Sequence, residues 1–347
     1  MSHRLVPTLR DAVFVLLCID CIIGLFLFKS RFFSHLAIWH IIESDKKADF
    51  SWHPDSAPAY VRFEKNDASL SAFREEIRGL IAQDNDELGR VTAIAHYVMA
   101  IKSQGSVQGK ALRWDSPKGM LAQVRGGARP HCFHRAILFS TFLTSVHIPS
   151  RLWALENKAF DDTAHTVVEA YLPGLRKWVC VDTSYGLYVS DGDLPLSFLE
   201  LREKLLQGKA DTLVCHSVSP GRAKPTRMPS SYGRLARLVF LRAHNDFAHT
   251  YAFRYGVLSM LSGYLDKLPD SLRLGMSYFL GNRDIFMHYI DNASRSLRNK
   301  ALAIKAAFYF FMYSLGFSVC VAVALVVRAA GGAGGRTAPK KTPSPDT

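Results

Sequence analysis

The chain has 347 residues, 48% hydrophobic and 21% charged, and its 43 basic against 30 acidic side chains give a formal net charge of +13. That length holds one large or two ordinary domains with a full core, and the composition is globular, shifted slightly toward the membrane class. Six irregularly spaced cysteines exclude a disulfide scaffold, and the lack of a basic stretch interleaved with aromatics argues against a nucleic-acid partner; anionic lipid or an acidic polymer suits the charge better.

Residues 1–12 form a short N-terminal tail. Residues 13–28 are almost wholly apolar, broken by Asp20 and closed by Lys29 and Arg31. As a helix this run spans about 24 Å, slightly short of the hydrocarbon core, and with snorkelling flanks it reads as a transmembrane signal anchor. A cleaved signal peptide is the rival, but no small-x-small cleavage site follows. Asp20 is costly there unless it meets another transmembrane helix, sits protonated or lies near a bend. Cys18 and Cys21 read as small apolar residues of that helix, since no thioredoxin-like pattern surrounds them.

Residues 29–68, with Pro54 and Pro58, read as a connector or an irregular wrap. Leu70, Phe73, Ile77, Leu80 and Ile81 have helical spacing, which predicts a helix over 70–82. Asp84-Asn-Asp-Glu87 has the form of a capping signal and opens a second helix through Lys102, with Val91, Ile94, Ala95, Val98 and Ile101 as its buried stripe. Ser116-Pro117 starts a short helix. Gly126, Gly127 and Pro130 then force a turn before Cys132, and residues 133–146 form a strongly apolar helix stopped by Ile148-Pro149.

A strand is expected over 151–155. Residues 164–172 and 177–183 alternate at period two about Pro173-Gly174, as in a hairpin. Residues 198–206 follow as a helix and 217–231 as a loop. Residues 235–265 do not separate strand from helix, and 270–300 read as a helix with basic residues spaced along it.

Residues 306–327 carry no charge, and at about 33 Å as a helix they span a bilayer unaided. The Gly-, Pro-, Ser- and Thr-rich end, within 328–347, is expected to be disordered. Two spans put both termini on one side. Arg4, Arg10, Arg328, Arg336, Lys340 and Lys341 favour cytoplasmic tails and an exported central domain, because charges on a long loop weigh less than those on short tails.

A thiol attacks an acyl carbon as thiolate, so it needs activation. Cys132 stands where the Gly-Gly-Ala-Arg-Pro turn hands over to a helix, and a helix N-terminus favours both a thiolate and an oxyanion. A hairpin centred between Pro173 and Gly174 sets His165 opposite Asp182, on one face, so that the carboxylate can orient the imidazole. A loop two residues longer keeps that parity, whereas a slip of one destroys it. Each residue alone is commonplace; their order and contexts together point to a site.

These segments resemble the transglutaminase-like superfamily. The resemblance covers roughly residues 93–188 and rests on Gly126-Gly127 and Cys132 before an apolar helix, Val146-His-Ile-Pro-Ser-Arg151, Ala164-His165-Thr-Val-Val-Glu-Ala-Tyr-Leu-Pro-Gly174, and Trp178-Val-Cys-Val-Asp182-Thr-Ser. It implies an α+β fold: a papain-like core with the cysteine on a helix N-terminus against an antiparallel sheet, here with helical flanks and two transmembrane helices. It also implies Cys132 as nucleophile, His165 as general base and then acid, and Asp182 as the orienting carboxylate. His131 stands where the family has a small, polar or aromatic residue, and Thr166 and Val167 replace its small-aromatic pair. Trp114 is the candidate oxyanion side chain only because it lies upstream of the turn.

His131 and His134 flank the nucleophile, either tuning it or lying at a cleft rim. Cys180 is expected to pack, and His244 and His249 to be structural. The domain is expected over 69–215 and a C-terminal loop and helical extension over 216–300. The expected function is a membrane-anchored cysteine enzyme that acts on a protein, peptide or other amide substrate through a Cys132 thioester, with no cofactor and no metal. Water as acceptor makes it a protease or amidase, and an amine makes it a transglutaminase; the alternative is a catalytically silent scaffold or binding module at the membrane.

Overall fold

A computed structural model describes residues 5–29, 40–42, 50–58, 61, 63, 67–82, 86–101, 116–155, 165–219, 228–230, 232–235, 239–242, 264, 267, 286–289 and 292–333. The chain divides into two compact units, Ile38–Lys300 and a second made of Met1–Ala37 with Ala301–Thr347.

The larger unit is built on one sheet. Its strands are β1 (His40–Ile42), β2 (Ser150–Leu155), β3 (His165–Leu172), β4 (Lys177–Asp182), β5 (Leu187–Asp191), β6 (Leu194–Pro195), β7 (Leu213–Ser217), β8 (Val239–Arg242) and β9 (Phe286–Tyr289). They run in the order β1-β9-β8-β2-β3-β4-β5-β6, with β7 also paired to β5, and all pairs are antiparallel except β1 with β9. All eight residues of β3 are buried, as befits a strand covered on both faces.

On one face Leu152, Val168, Ala170, Val179 and Val181 join a core with the helices α2 (Asp67–Ile81), α3 (Glu87–Ala100), α4 (Pro117–Arg125) and α5 (Cys132–Ser145). α5 is the central helix: Ala136, Ile137, Phe139, Phe142 and Leu143 are buried on it, too many for one stripe, so it is covered all round. On the other face Trp153, Leu155, Val167 and Cys180 pack with α6 (Phe198–Leu206) and with Tyr232 of the short α7 (Tyr232–Leu235). Cys180 therefore packs, as expected, and burial pushes its thiol pKa up.

Local signals account for most helix starts. Ser116 Oγ accepts from Gly119 N at 3.0 Å with Pro117 next to it, and Ser197 and Glu200 close a reciprocal capping box on α6. The cap of α3 is Asp86, which accepts from Gly89 N at 2.9 Å, rather than a box opened at Asp84. Glu87 is engaged elsewhere: its Oε2 accepts from Gly174 N at 2.8 Å and ties α3 to the tip of the β3–β4 hairpin.

Two further expectations are corrected, and one stretch left open is decided. Within the stretch read as helix from 270 to 300, Phe286–Tyr289 is a strand lying between β1 and β8. Two strands with free edges recruit it, a non-local pairing that residue spacing does not reveal. The 235–265 stretch contributes β8, which pairs with β2. The β3–β4 register is shifted by two residues: Leu172 pairs with Lys177, and the connection is Pro173–Leu175 in a 3₁₀ turn closed by Arg176 at φ 50°. A Pro-Gly type II turn fits a two-residue hairpin poorly, so the longer loop wins and facing parity survives.

The 29–68 stretch is a packed wrap where it is described. Phe50 is buried, and its carbonyl accepts from Arg151 Nη1 at 2.6 Å; Trp52 O accepts from Trp178 Nε1 at 2.9 Å.

The 42-residue helix α8 (Asn292–Ala333) enters the smaller unit at Ala301 and there meets α1 (Leu5–Lys29). The Ser314 hydroxyl donates to Asp20 Oδ1, and Gly24 lies against the Phe311 ring. Asp20 is thus in contact with the other apolar helix, one of the outcomes foreseen for it. Among the described residues one helix segment, Tyr309–Arg328, has the length and apolarity of a bilayer span, with mean hydropathy 2.3. The apolar part of α1, Phe14–Leu25, is shorter, so of the two spans expected only one is a helix of spanning length among the described residues.

Candidate active site

Cys132, His165 and Asp182 come from three elements that end at one place. Gly127, at φ 109°, turns the chain out of α4, a conformation only glycine adopts readily. Cys132 is then the first residue of α5, where N–H groups of the first turn lack intrahelical partners. His165 opens β3 and Asp182 closes β4. With the register observed, continuing the ladder places Asp182 opposite Val167, so His165 stands diagonal to it on the same face rather than directly across.

His165 Nε2 lies 2.6 Å from Asp182 Oδ2, and the ring's interactions include a hydrogen bond with the Cys132 side chain. Both members of the His–Asp pair are buried, at 8% and 1% side-chain exposure. Burial favours the neutral imidazole, but the hydrogen bonds and charges of Asp182 and Cys132 outweigh it and raise the His165 pKa to about 10.

Asp182 is held firmly. Its Oδ1 accepts from Ser184 N at 2.7 Å and Tyr185 N at 3.0 Å, and its Oδ2 accepts from the Tyr232 hydroxyl as well as from His165. The tight turn after β4 makes this geometry: Gly186, at φ 69°, donates its N–H to Asp182 O at 2.8 Å. Arg135, one turn into α5, donates to Thr183 O at 3.4 Å and links the cysteine helix to the end of β4.

The flanking histidines divide. His131 is exposed, whereas His134 is buried and its Nδ1 accepts from His131 N at 3.1 Å, so an imidazole caps the start of α5. Burial and the neighbouring His131 lower the His134 pKa to about 4, which keeps it neutral. Trp114, His244 and His249 lie outside the described residues.

Two contributors escaped the sequence reading. Tyr185 is 45% exposed, and its ring lies 5.2 Å from that of His165. Tyr232 is fully buried, with its ring 6.0 Å from His165. The Asp-Thr-Ser-Tyr run hinted at Tyr185 as a neighbour of the carboxylate; nothing local marked Tyr232, which sits fifty residues beyond Asp182.

One comparison with known proteins agrees with this architecture. A model of the transglutaminase-like superfamily matches residues 75–183, a stretch that contains Cys132, His165 and Asp182. No curated protein and no solved structure matched the chain.

Proposed function

We propose that this chain is a membrane-anchored cysteine enzyme that cleaves or transfers an amide acyl group through a thioester at Cys132. The observation that carries the reading is the hydrogen-bonded chain from Cys132 to His165 to Asp182 at the start of α5. His165 takes the thiol proton, and the Cys132 sulfur attacks the carbonyl carbon. First-turn N–H groups of α5 supply donors for the oxyanion, in place of a side chain such as Trp114. The C–N bond breaks, the departing amine takes the proton from His165, and a thioester remains. Water or a second amine then attacks that thioester, with His165 again accepting a proton and returning it to sulfur. Water gives a protease or amidase, and an amine gives a transglutaminase. Asp182 orients the ring and balances the imidazolium throughout.

The anchor is assigned to the Tyr309–Arg328 segment of α8, with α1 as a second, shorter apolar helix clasped to it through Asp20 and Ser314. The basic flanks favour an exported central domain with cytoplasmic termini, facing a polypeptide or another amide-bearing polymer.

The test is labelling of the full-length protein by an acyl-mimicking thiol probe, with the modified residue mapped by mass spectrometry. Labelling at residue 132 is expected, together with loss of all amide-directed activity in Cys132→Ala. A Cys132 no more reactive than Cys18, Cys21 or Cys320, which are free thiols too, sinks the enzyme and leaves a scaffold. Comparing intact with permeabilised cells reads the side of the membrane.

A further inference from the structure

We propose that Tyr232 is a positioning residue for this site: it fixes the Asp182 carboxylate and moderates how strongly that carboxylate holds the His165 imidazolium. The inference rests on the cysteine–histidine reading above and extends the site beyond the matched 75–183 stretch.

Four donors converge on the two oxygens of Asp182. The N–H groups of Ser184 and Tyr185 occupy Oδ1, while the Tyr232 hydroxyl and His165 Nε2 share Oδ2. A carboxylate offers about four acceptor positions, so its capacity is filled. Tyr232 therefore draws on the same oxygen, and the same negative charge, that His165 uses. Withdrawing one donor leaves more of that charge for the imidazolium.

Tyr232 is built to remain a donor. It has no exposed surface, and burial together with the Asp182 charge holds its phenol pKa well above the usual value. Its backbone N–H bonds Pro229 O at 3.0 Å, and β8, which follows within the same segment, is laddered to β2. The Tyr185 and Tyr232 rings, 5.9 Å apart, both stand against the imidazole and restrict its rotation. A tyrosine that served only the core, without drawing on the Asp182 charge that faces His165, would leave the His165 titration in place when its hydroxyl is removed.

The experiment uses the full chain in detergent and follows carbamidomethylation of Cys132 by iodoacetamide from about pH 4 to about pH 11, with the modified peptide quantified by mass spectrometry. Thiolate paired with imidazolium and thiolate beside neutral imidazole react at different rates, so loss of the His165 proton appears as a step. Tyr232→Phe, which keeps the ring and removes the donor, is expected to move that step up by about 0.5 to 1 pH unit. Incorporating 3,5-difluorotyrosine in place of Tyr232 makes a stronger donor of the same shape and is expected to move the step down; it carries the result if Tyr232→Phe does not fold. A step that stays in place in the folded variants, or moves in the same direction in both, overturns the role of Tyr232 and leaves the nucleophile assignment standing. A wild-type profile without a step that His165→Gln removes overturns the underlying reading, and the role of Tyr232 with it.

Discussion

At the scale of single residues the two buried histidines titrate in opposite senses, which fixes how stability depends on pH. His165 is raised from 6.5 to about 10 by Asp182 and Cys132, so the folded state holds its proton more tightly than the unfolded chain. That contribution is complete below about pH 6.5 and is lost as pH rises toward 10. His134 is lowered from 6.5 to about 4, so the unfolded chain gains a proton first and stability falls as pH drops through that window. The thermal midpoint of the full chain is therefore expected to peak near pH 6.5. His165→Gln should flatten the alkaline limb and His134→Gln the acid limb; an unchanged alkaline limb in His165→Gln refutes the assignment. Asp182→Asn keeps the shape but loses the charge facing His165, and any amide-directed turnover is expected to drop by about two to four orders of magnitude with KM little changed.

At the scale of elements, the hairpin β3–β4 and the turn after it do the positioning. Gly186 has φ 69°, and a Cβ there would meet Met99 Cε at 2.4 Å. Gly186→Ala should cost about 1–2 kcal/mol by denaturant titration, mostly from the left-handed backbone since the Met99 tip can move. The face of the sheet that carries His165 also holds a buried ion pair. Glu169 accepts from Arg151 Nε and Trp153 Nε1, and its other oxygen accepts from Phe198 N at 2.6 Å. The Arg151 guanidinium lies over the rings of Trp178 at 4.2 Å and Trp52 at 4.8 Å. Arg151→Met removes one charge from a closed network and is expected to destabilise the domain by about 3–5 kcal/mol. Adding Glu169→Gln should recover part of that loss, a coupling that a double-mutant cycle measures. Spacing of apolar residues made α2, α5 and both hairpin strands readable from sequence. It did not reveal β5, β6, β7 or β9, which are short and take their conformation from the strand beside them.

At the scale of the whole molecule, a helix segment with the length and apolarity of a bilayer span and a cysteine-bearing domain lie on one chain. Val319 is 53% exposed at the middle of Tyr309–Arg328, as expected of a lipid-facing position. Val319→Arg costs about 2.5–3.5 kcal/mol at the centre of a span, so the variant should partition more into the soluble fraction on alkaline carbonate extraction. Retention equal to wild type would argue against this segment as a membrane anchor.

The sequence by itself determined the segments that build the candidate site, namely the glycine turn before Cys132, the apolar helix behind it and the alternating strands that begin at His165 and end at Asp182, and it determined the uncharged run near the C-terminus. Each is written in local spacing, which is where a helix or strand records its buried face. Only the tertiary structure decided the two-residue shift that sets His165 diagonal to Asp182, the imidazole of His134 as a cap, and the arrival of Tyr232 at the carboxylate. Those depend on loop geometry and on contacts between residues far apart in the chain, where the partner of a polar group is fixed by what the fold brings within about 3 Å of it and not by its neighbours in sequence.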